Sequence, residues 1–487
     1  MTPPLNAKVS SSSRLIVYAP ALILFSLYLI FCFNGPFERD QGIYMLVAEA
    51  MLRGDSLYSS VWDHKPPAIH IVYTLSALVF GPSRLALAAV TVTLSALTLF
   101  GVRILLKRIG VAERPTMVLL AIYAVLSVSP NLEAHQANTE AGINAMLVWC
   151  LVVFSNATPH GLFIILGSFL FGLATLFKPV ALVAVIPFSI YVLLTSKPSS
   201  LRIFSAIALL VGPIVVWFMC VAWFMAHNRF SDFAASVHSY NRFYAGDLVL
   251  NLLGWLNPRM LRASAFLWLY VPLGVALFLM IRAPVKAKIL TLVGLVSIAV
   301  AIAAPGNFYI HYYQLALPWC VLALGVFTTI VKRLPTIFVL SLTVLSVVVG
   351  EGALWLLPDF HRHPFSRSSP QRSAQLFAPH LRDSLKPGEW FLDLTSSPGL
   401  YLDSGIVPRH GVFHLAPLVE GPERARLRQK LIDILNQQPP RFIVTSDANT
   451  LSLFDSEADI ARFFSRYKPV LFQSPFTVYA LSDREAE

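Results

Sequence analysis

The chain has 487 residues, of which 56% are apolar and only 13% charged, and its mean hydropathy is +0.66. That balance excludes an ordinary soluble enzyme and a disordered chain, and places the protein in the membrane class. The net charge of +11 is carried by short loops between apolar runs, with no basic helix or base-stacking module, so a nucleic-acid partner is excluded as well.

A helix needs roughly 20 apolar residues to cross about 30 Å of hydrocarbon. The first such run is Leu15–Asn34. It is followed directly by polar residues rather than by a small-residue cleavage site, so it reads as a span and not as a signal peptide. Further runs are Leu85–Leu106, Thr116–Ser129, Ala141–Asn156, Gly161–Phe177, Val180–Thr195, Ile203–Ala226, Ala263–Ile281, Ile289–Ala304, Ile310–Val331 and Leu334–Leu357. The expectation is a polytopic α-helical membrane protein with about eleven spans. Cys32, Cys150, Cys220 and Cys320 fall in or beside these runs and read as small buried hydrophobes, which argues against a disulfide framework or a zinc cluster.

Lys and Arg set the orientation. Lys8 and Arg14 precede the first span. Lys107, Arg108 and Arg114, then Lys197 and Arg202, then Arg282, Lys286 and Lys288, then Lys332 and Arg333 occupy alternate later loops. All become cytoplasmic if Ile69–Phe80, bracketed by Pro66-Pro67 and Gly81-Pro82, lies on the outer surface instead of crossing. Outer loops then cover residues 35–83, 130–139 and 227–262, and the tail from Pro358 is also outside. Arg229, Arg242, Arg259 and Arg262 in the third loop break the charge rule, which fits either an anionic ligand or lipid headgroups.

The first outer loop carries the densest chemistry. Phe37-Glu38-Arg39-Asp40-Gln41-Gly42-Ile43-Tyr44 leads into Gly42–Arg53, whose Ile43, Leu46, Val47, Ala50 and Met51 share one face and predict an amphipathic helix. Asp40 suits two roles there: capping that helix, or accepting a proton from an attacking hydroxyl. Lys65 is followed by two prolines that stiffen its backbone, and a lysine is a compact donor suited to a phosphate or to snorkelling. His64 reads as a metal ligand, a proton carrier or an interfacial polar residue.

The second loop holds Glu133, His135, Gln136, Asn138 and Glu140. Glu140, at the start of a span, is either a helix-end stabiliser or a second carboxylate for the cavity of Asp40. Lys178 and the run Phe308-Tyr309-Ile310-His311-Tyr312-Tyr313 stand at other outer span ends, where tyrosines ordinarily form an interfacial belt.

After Pro358 the composition changes. Residues 358–386 read as a linker, and 387–487 as a small α/β domain. Trp390–Leu394 and Phe442–Thr445 suit strands, Pro422–Asn436 has helical spacing, and Tyr467–Phe472 with Phe476–Leu481 suits a closing hairpin. The tail shows no nucleophile–base pair or phosphate loop.

These motifs resemble a known family. Glu38-Arg39-Asp40-Gln41-Gly42-Ile43-Tyr44, Gly54-Asp55-Ser56-Leu57-Tyr58 and Asp63-His64-Lys65-Pro66-Pro67, in that order after one span, are similar to bacterial family-39-type glycosyltransferases of the membrane-embedded C superfamily. That group includes relatives of protein O-mannosyltransferases and of the lipid A aminoarabinose transferase. Asn138-Thr139-Glu140 and His311-Tyr312-Tyr313-Gln314-Leu315-Ala316-Leu317-Pro318 fit as well. The resemblance spans the hydropathy layout over residues 15–357, and its specific part is the first loop.

The resemblance implies a multi-pass protein of the bacterial inner membrane. Residues 1–357 would form the glycosyltransferase domain, with the N-terminus cytoplasmic and the α/β domain periplasmic. It implies transfer of a sugar from a polyprenyl-phosphate donor to a lipid, glycan or protein acceptor, with inversion. In the family the first-loop Asp, here Asp40, is the key carboxylate, and the Lys before Pro, here Lys65, contacts the donor phosphate. The residues themselves add Glu140 as a second catalytic carboxylate, Arg39, Arg242 and Lys178 as further phosphate cations, and Glu38, Tyr44, Tyr58, His64, His311 and Tyr313 as pocket candidates. The aminoarabinose transferase has an acidic residue where this chain has His64, and the eukaryotic mannosyltransferases have adjacent Asp-Glu where this chain has Glu38-Arg39-Asp40. No cofactor follows from the residues; a divalent cation is left open. The alternative from another class is a transporter or flippase of a lipid-linked sugar. That class carries ionisable groups inside spans and repeated halves. Here Glu351 is the exception in otherwise uncharged spans, and the sequence shows no repeat.

Overall fold

The computed structural model describes residues 11–33, 35–155, 161–195, 200–257, 273–278, 280–355, 374–446 and 457–482. Arg259, Arg262, the Phe360–Pro370 part of the linker and most of the expected span Ala263–Ile281 lie outside the described residues.

The helices follow the apolar runs. In chain order they are α1 (Ser11–Cys32), α2 (Arg39–Leu52), α3 (Pro67–Phe80), α4 (Arg84–Arg108), α5 (Glu113–Leu126), α6 (Thr139–Phe154), α7 (Gly161–Phe177), α8 (Val185–Thr195) and α9 (Ser200–Ala226). Val285–Ala303, Leu317–Ile330 and Arg333–Trp355 follow. Among the described residues, five helical stretches are long and apolar enough to cross a membrane, and five shorter apolar ones accompany them. Two expected spans open differently. The Val180 run begins as a 3-10 turn, Pro179–Ala184, and the Ile310 run as another, Ile310–Ala316. Pro179 at the first position and Pro318 just after the second turn lack the amide proton that a continuous α-helix would use there.

The chain divides into two compact units. The first comprises residues 1–32, 91–217 and 247–357; the second comprises 33–90, 218–246 and 358–487.

In the first unit, α7 and α9 approach through small residues. A Cβ on Gly212 would stand 2.0 Å from the Ser168 carbonyl oxygen, and one on Gly172 2.7 Å from that of Gly212. Such backbone approach is how helices associate where the surroundings are as apolar as the side chains. The opposite face of α9 exposes Ile203, Ile207, Leu210 and Ile214, as expected of a surface turned to lipid. Cys32 and Cys150 are buried thiols, as the sequence predicts.

In the second unit, a four-stranded sheet has the order β1-β2-β4-β3 (Phe391–Asp393, Phe442–Thr445, Phe476–Leu481, Tyr467–Gln473). β1 and β2 are parallel and the last two strands form an antiparallel hairpin, as the sequence leads one to expect of these two runs. Arg424–Gln437 buries Leu427, Leu431 and Leu435, one helical stripe, in the core that includes Trp390, Ile443 and Tyr467.

One expectation is corrected here. The helix after Asp40 is not amphipathic: α2 is buried at every position from Gln41 to Val47, and at Ala48 and Ala50. The reason lies far along the chain. A Cβ on Gly42 would come within 2.8 Å of Pro398 Cγ, so the tail packs on the side that the sequence leaves open. Gln375 accepts from the Phe37 amide at 3.2 Å and donates to its carbonyl at 2.9 Å. Arg84 holds Asp403 at 2.7 Å, and the Trp62 amide donates to the Gly411 carbonyl at 2.7 Å. The first loop and the tail thus fold as one body.

Candidate functional site

The second unit builds its cluster from the first loop. Glu38, in extended conformation, is the N-cap of α2 and makes no side-chain capping bond. Asp40 therefore sits inside the first turn rather than capping it, where the helix dipole favours its negative charge. Its carboxylate is 3.3 Å from Arg39 Nε and 3.8 Å from Lys65 Nζ, and Asp40 and Lys65 keep 14% and 13% side-chain exposure.

Lys65 is aimed from both sides. Pro66 and Pro67 set the start of α3, and the Tyr58 hydroxyl donates to the Lys65 carbonyl at 2.7 Å. Tyr58 holds a φ of 71°, a conformation a tyrosine rarely adopts, and its ring packs on Phe224 and Phe233. Lys65 Nζ lies 3.1 Å from His64 Nε2 and 5.9 Å above the Tyr44 ring. Tyr44 and Tyr58 are wholly buried, so they form the wall behind the lysine.

Asp63 is the centre of a buried polar group. Its Oδ1 accepts the His64 amide at 2.8 Å; His64 Nδ1 stands 3.2 Å from the same oxygen, and His70 Nε2 3.2 Å from Oδ2. Burial pushes the Asp63 carboxyl up, but the Lys65 charge and the two imidazoles outweigh it and hold the group well below the usual carboxylate range. Burial and the Lys65 charge keep the His64 imidazole below its ordinary value, against the pull of Asp63. A neutral His64 with its proton toward Asp63 leaves Nε2 to accept from the Lys65 ammonium. The Asn241 amide secures the His64 carbonyl at 2.7 Å.

The tail adds His414. Its ring centre lies 5.9 Å from that of Trp62 and 6.4 Å from that of His64, and Trp62 in turn meets Tyr240 edge-on at 4.9 Å. Burial, with the nearby His64, Arg39 and Lys65 charges, drives the His414 imidazole down to about 3 despite Asp63.

The first unit holds a second cluster. Asn138 caps α6 by accepting the Thr139 amide at 2.8 Å, so Glu140 is not needed as the cap. Glu140 is 0% exposed, accepts the Thr139 hydroxyl at 2.9 Å and pairs with Lys178 at 3.0 Å. Lys178 ends α7 and lies 3.5 Å over the Tyr312 ring. His311 Nδ1 is 2.9 Å from Glu133, whose backbone φ is 48°. Gln314 donates to the carbonyls of Leu132 and Glu133 at 2.9 and 3.1 Å. Tyr313 is fully buried, edge-on to Trp255. Arg242 lies in the second unit, in the last turn of Asn241–Ala245, and is exposed.

Of the sequence-read residues, Glu38, Arg39, Asp40, Tyr44, Tyr58, His64 and Lys65 gather in one unit, and Glu140, Lys178, His311 and Tyr313 in the other. Asp63 was visible only as part of a motif. His70 and His414 were missed: His70 sits in the first turn of α3 with no signal beyond its polarity, and His414 lies some 350 residues from its neighbours. Among the described residues, no group of three or more His, Cys, Asp or Glu side chains is arranged to hold a metal ion.

No protein-family model and no curated protein sequence matches the chain. Solved structures do. The chain is similar to ArnT from Cupriavidus metallidurans bound to undecaprenyl phosphate, at 12% identity and a TM-score of 0.62, over 97% of this chain and 98% of that one. It is also similar to AftD, an arabinofuranosyltransferase from Mycobacteria (12% identity, TM-score 0.53, 100% of this chain and 41% of that one). A third is the Archaeoglobus fulgidus oligosaccharyltransferase tethered with an acceptor peptide (11% identity, TM-score 0.51, 96% of this chain and 74% of that one). All three are membrane glycosyltransferases of the C superfamily, and the chain has their fold, as the first-loop resemblance implies.

Proposed function

We propose that the protein moves a sugar from a polyprenyl-phosphate donor to a lipid, glycan or protein acceptor on the periplasmic face of a bacterial inner membrane. The observation that carries this reading is the first-loop cluster: a partly open carboxylate, Asp40, beside a lysine held by two prolines, a tyrosine and a buried histidine. The shared fold with ArnT, whose structure contains undecaprenyl phosphate, supports the donor class.

The chemistry needs few parts. The acceptor hydroxyl attacks the anomeric carbon while the carbon–oxygen bond to phosphate breaks. The hydroxyl proton passes to Asp40, and polyprenyl phosphate leaves with the bonding electrons. A phosphate is a stable anion, so no general acid is required. The protein must hold the hydroxyl in line and neutralise charge growing on the departing oxygens. Asp40 is the base, and a single displacement inverts the anomeric centre. Lys65 and Arg39 bind the phosphate, with Arg242 as a further cation of the same unit. His64, by accepting from Lys65, sets where the ammonium points, and Asp63 sets His64.

Glu140 and Lys178 enter as a fixed pair. A carboxylate with no exposure and a full-strength ion pair is poorly placed to take up a proton, so we assign Glu140 the role of orienting Lys178. If a divalent cation takes part, it would have to be brought with the donor phosphate.

The reading is tested by comparing envelope glycolipids, glycans and glycoproteins of a wild-type strain and a deletion strain by mass spectrometry. One glycan is expected to lack one sugar in the deletion strain while the lipid-linked donor accumulates. The same missing sugar with the donor confined to the cytoplasmic leaflet would instead favour a flippase, and unchanged glycans would contradict the reading.

A further inference from the structure

One cavity lies wholly within the first unit, and neither Glu140 nor Lys178 is among its lining residues. It has a volume of about 290 Å³ and runs between α4, α6, α8 and the helices Val285–Ala303 and Leu317–Ile330. Its wall on α6 extends from Ile143 to Ser155. At 1.5 Å per residue that is about 18 Å. The slot therefore follows most of the Ala141–Asn156 run, a length suited to one extended acyl chain.

The lining is mostly apolar, with Tyr191, Thr291 and Ser297 among its walls and a charged group at one end. There Arg108, from the last turn of α4, meets Ser155, accepting groups being the Ser155 hydroxyl and the Val152 carbonyl. The other end is closed by apolar residues such as Ile143 and Leu315, and neither Glu140 nor Lys178 lines the slot. By the charge rule, the Arg108 end is cytoplasmic. A donor lipid used on the outer face would need its phosphate, and so its cation, at the opposite end.

We propose that this slot holds one acyl chain of an anionic phospholipid from the cytoplasmic leaflet, with the lipid phosphate beside Arg108. The site is independent of the transfer chemistry and rests on the orientation of the spans. A dry, chain-shaped cavity between helices is unfilled volume that a lipid tail completes with ordinary dispersion contacts. The arginine selects the headgroup, since a basic residue at the cytoplasmic surface attracts anionic lipid.

Gly294 provides a clean probe. It lines the slot, and a Cβ built on it meets no atom within 4 Å, so Gly294→Phe projects into the slot without touching the backbone of a neighbour. Delipidated full-length protein would be titrated by native mass spectrometry with phosphatidylglycerol and with chain-matched phosphatidylcholine. Wild type is expected to retain one phosphatidylglycerol, and Gly294→Phe to lose that binding. Arg108→Gln should weaken phosphatidylglycerol about fivefold and leave phosphatidylcholine unchanged. The proposal is overturned if Gly294→Phe binds like wild type, or if Arg108→Gln changes both lipids equally or neither. It is also overturned if undecaprenyl phosphate outcompetes phosphatidylglycerol for the site that Gly294→Phe blocks.

Discussion

Among the described residues, two carboxylate–lysine pairs are built oppositely. Glu140 and Lys178 are 3.0 Å apart, with the glutamate sealed at 0% exposure and the lysine capped by an aromatic face. Asp40 and Lys65 are 3.8 Å apart, both part-exposed, and each has another partner: Arg39 for the aspartate and His64 for the lysine. A tight buried pair has its charges spoken for, and breaking it strands an ion in low dielectric. A loose pair whose members are supported from elsewhere can let a substrate come between them. On the proposed reading, the difference marks the first as a structural ion pair and the second as the chemical one.

The comparison is broken most forcefully from the tight side. Glu140→Ala leaves the Lys178 charge, 12% exposed, without its carboxylate and is expected to cost about 3 kcal/mol of stability. This would be read as a lower unfolding temperature in detergent. The double variant Glu140→Leu, Lys178→Met removes both charges and should recover most of that loss, which a catalytic role for either residue would not allow for activity.

On the loose side, Lys65→Ala removes the charge that helps keep the buried Asp63 ionised, so it should lower the unfolding temperature as well as weaken donor binding. Loss of one charge-assisted phosphate contact corresponds to about 1.5–3 kcal/mol, or roughly 10- to 100-fold in donor affinity. Titration with undecaprenyl phosphate measures it, and unchanged affinity would remove Lys65 from the phosphate site. His64→Phe keeps the bulk but not the acceptor. It is expected to shift donor affinity by less, about tenfold or under, because His64 acts through the lysine.

A further effect concerns pH. His414 has an imidazole depressed to about 3, against 6.5 for the unfolded chain. Its neutral burial contributes stability that is present above pH 6.5 and is lost as pH falls toward 3, because over that window only the unfolded state takes up the proton. Asp63, also depressed, has the same sign at lower pH. His414→Gln should therefore flatten the fall in unfolding temperature between pH 6.5 and 4 without moving the value at pH 8 by much.

Much of this was legible from the chain. The apolar helices are legible because a membrane helix must be apolar along its whole length, and the hairpin Tyr467–Leu481 because two β-prone runs flank the short Ser474-Pro475 turn. Asp40 and Lys65 stood out because charge is scarce around them. What stayed hidden depends on contacts across long separations. Nothing near Gly42 says that Pro398 will cover it, so α2 was read as half-exposed when it is buried. His414 and Gln375 reach the first loop from the tail, and a lone polar residue carries no sign of its partner. Glu140 and Lys178 were each visible, but their pairing across 38 residues was not, and the pairing decides their role.

The central claim is that Asp40 supplies the base. Asp40→Asn, introduced into the deletion strain, keeps the size and polarity of the side chain and removes its basicity. A general base is worth about 10²–10⁴ in rate, so the variant should insert normally, bind undecaprenyl phosphate as wild type does, and leave the envelope glycan as deficient as in the deletion. A strain carrying Asp40→Asn with undiminished glycan would contradict the account.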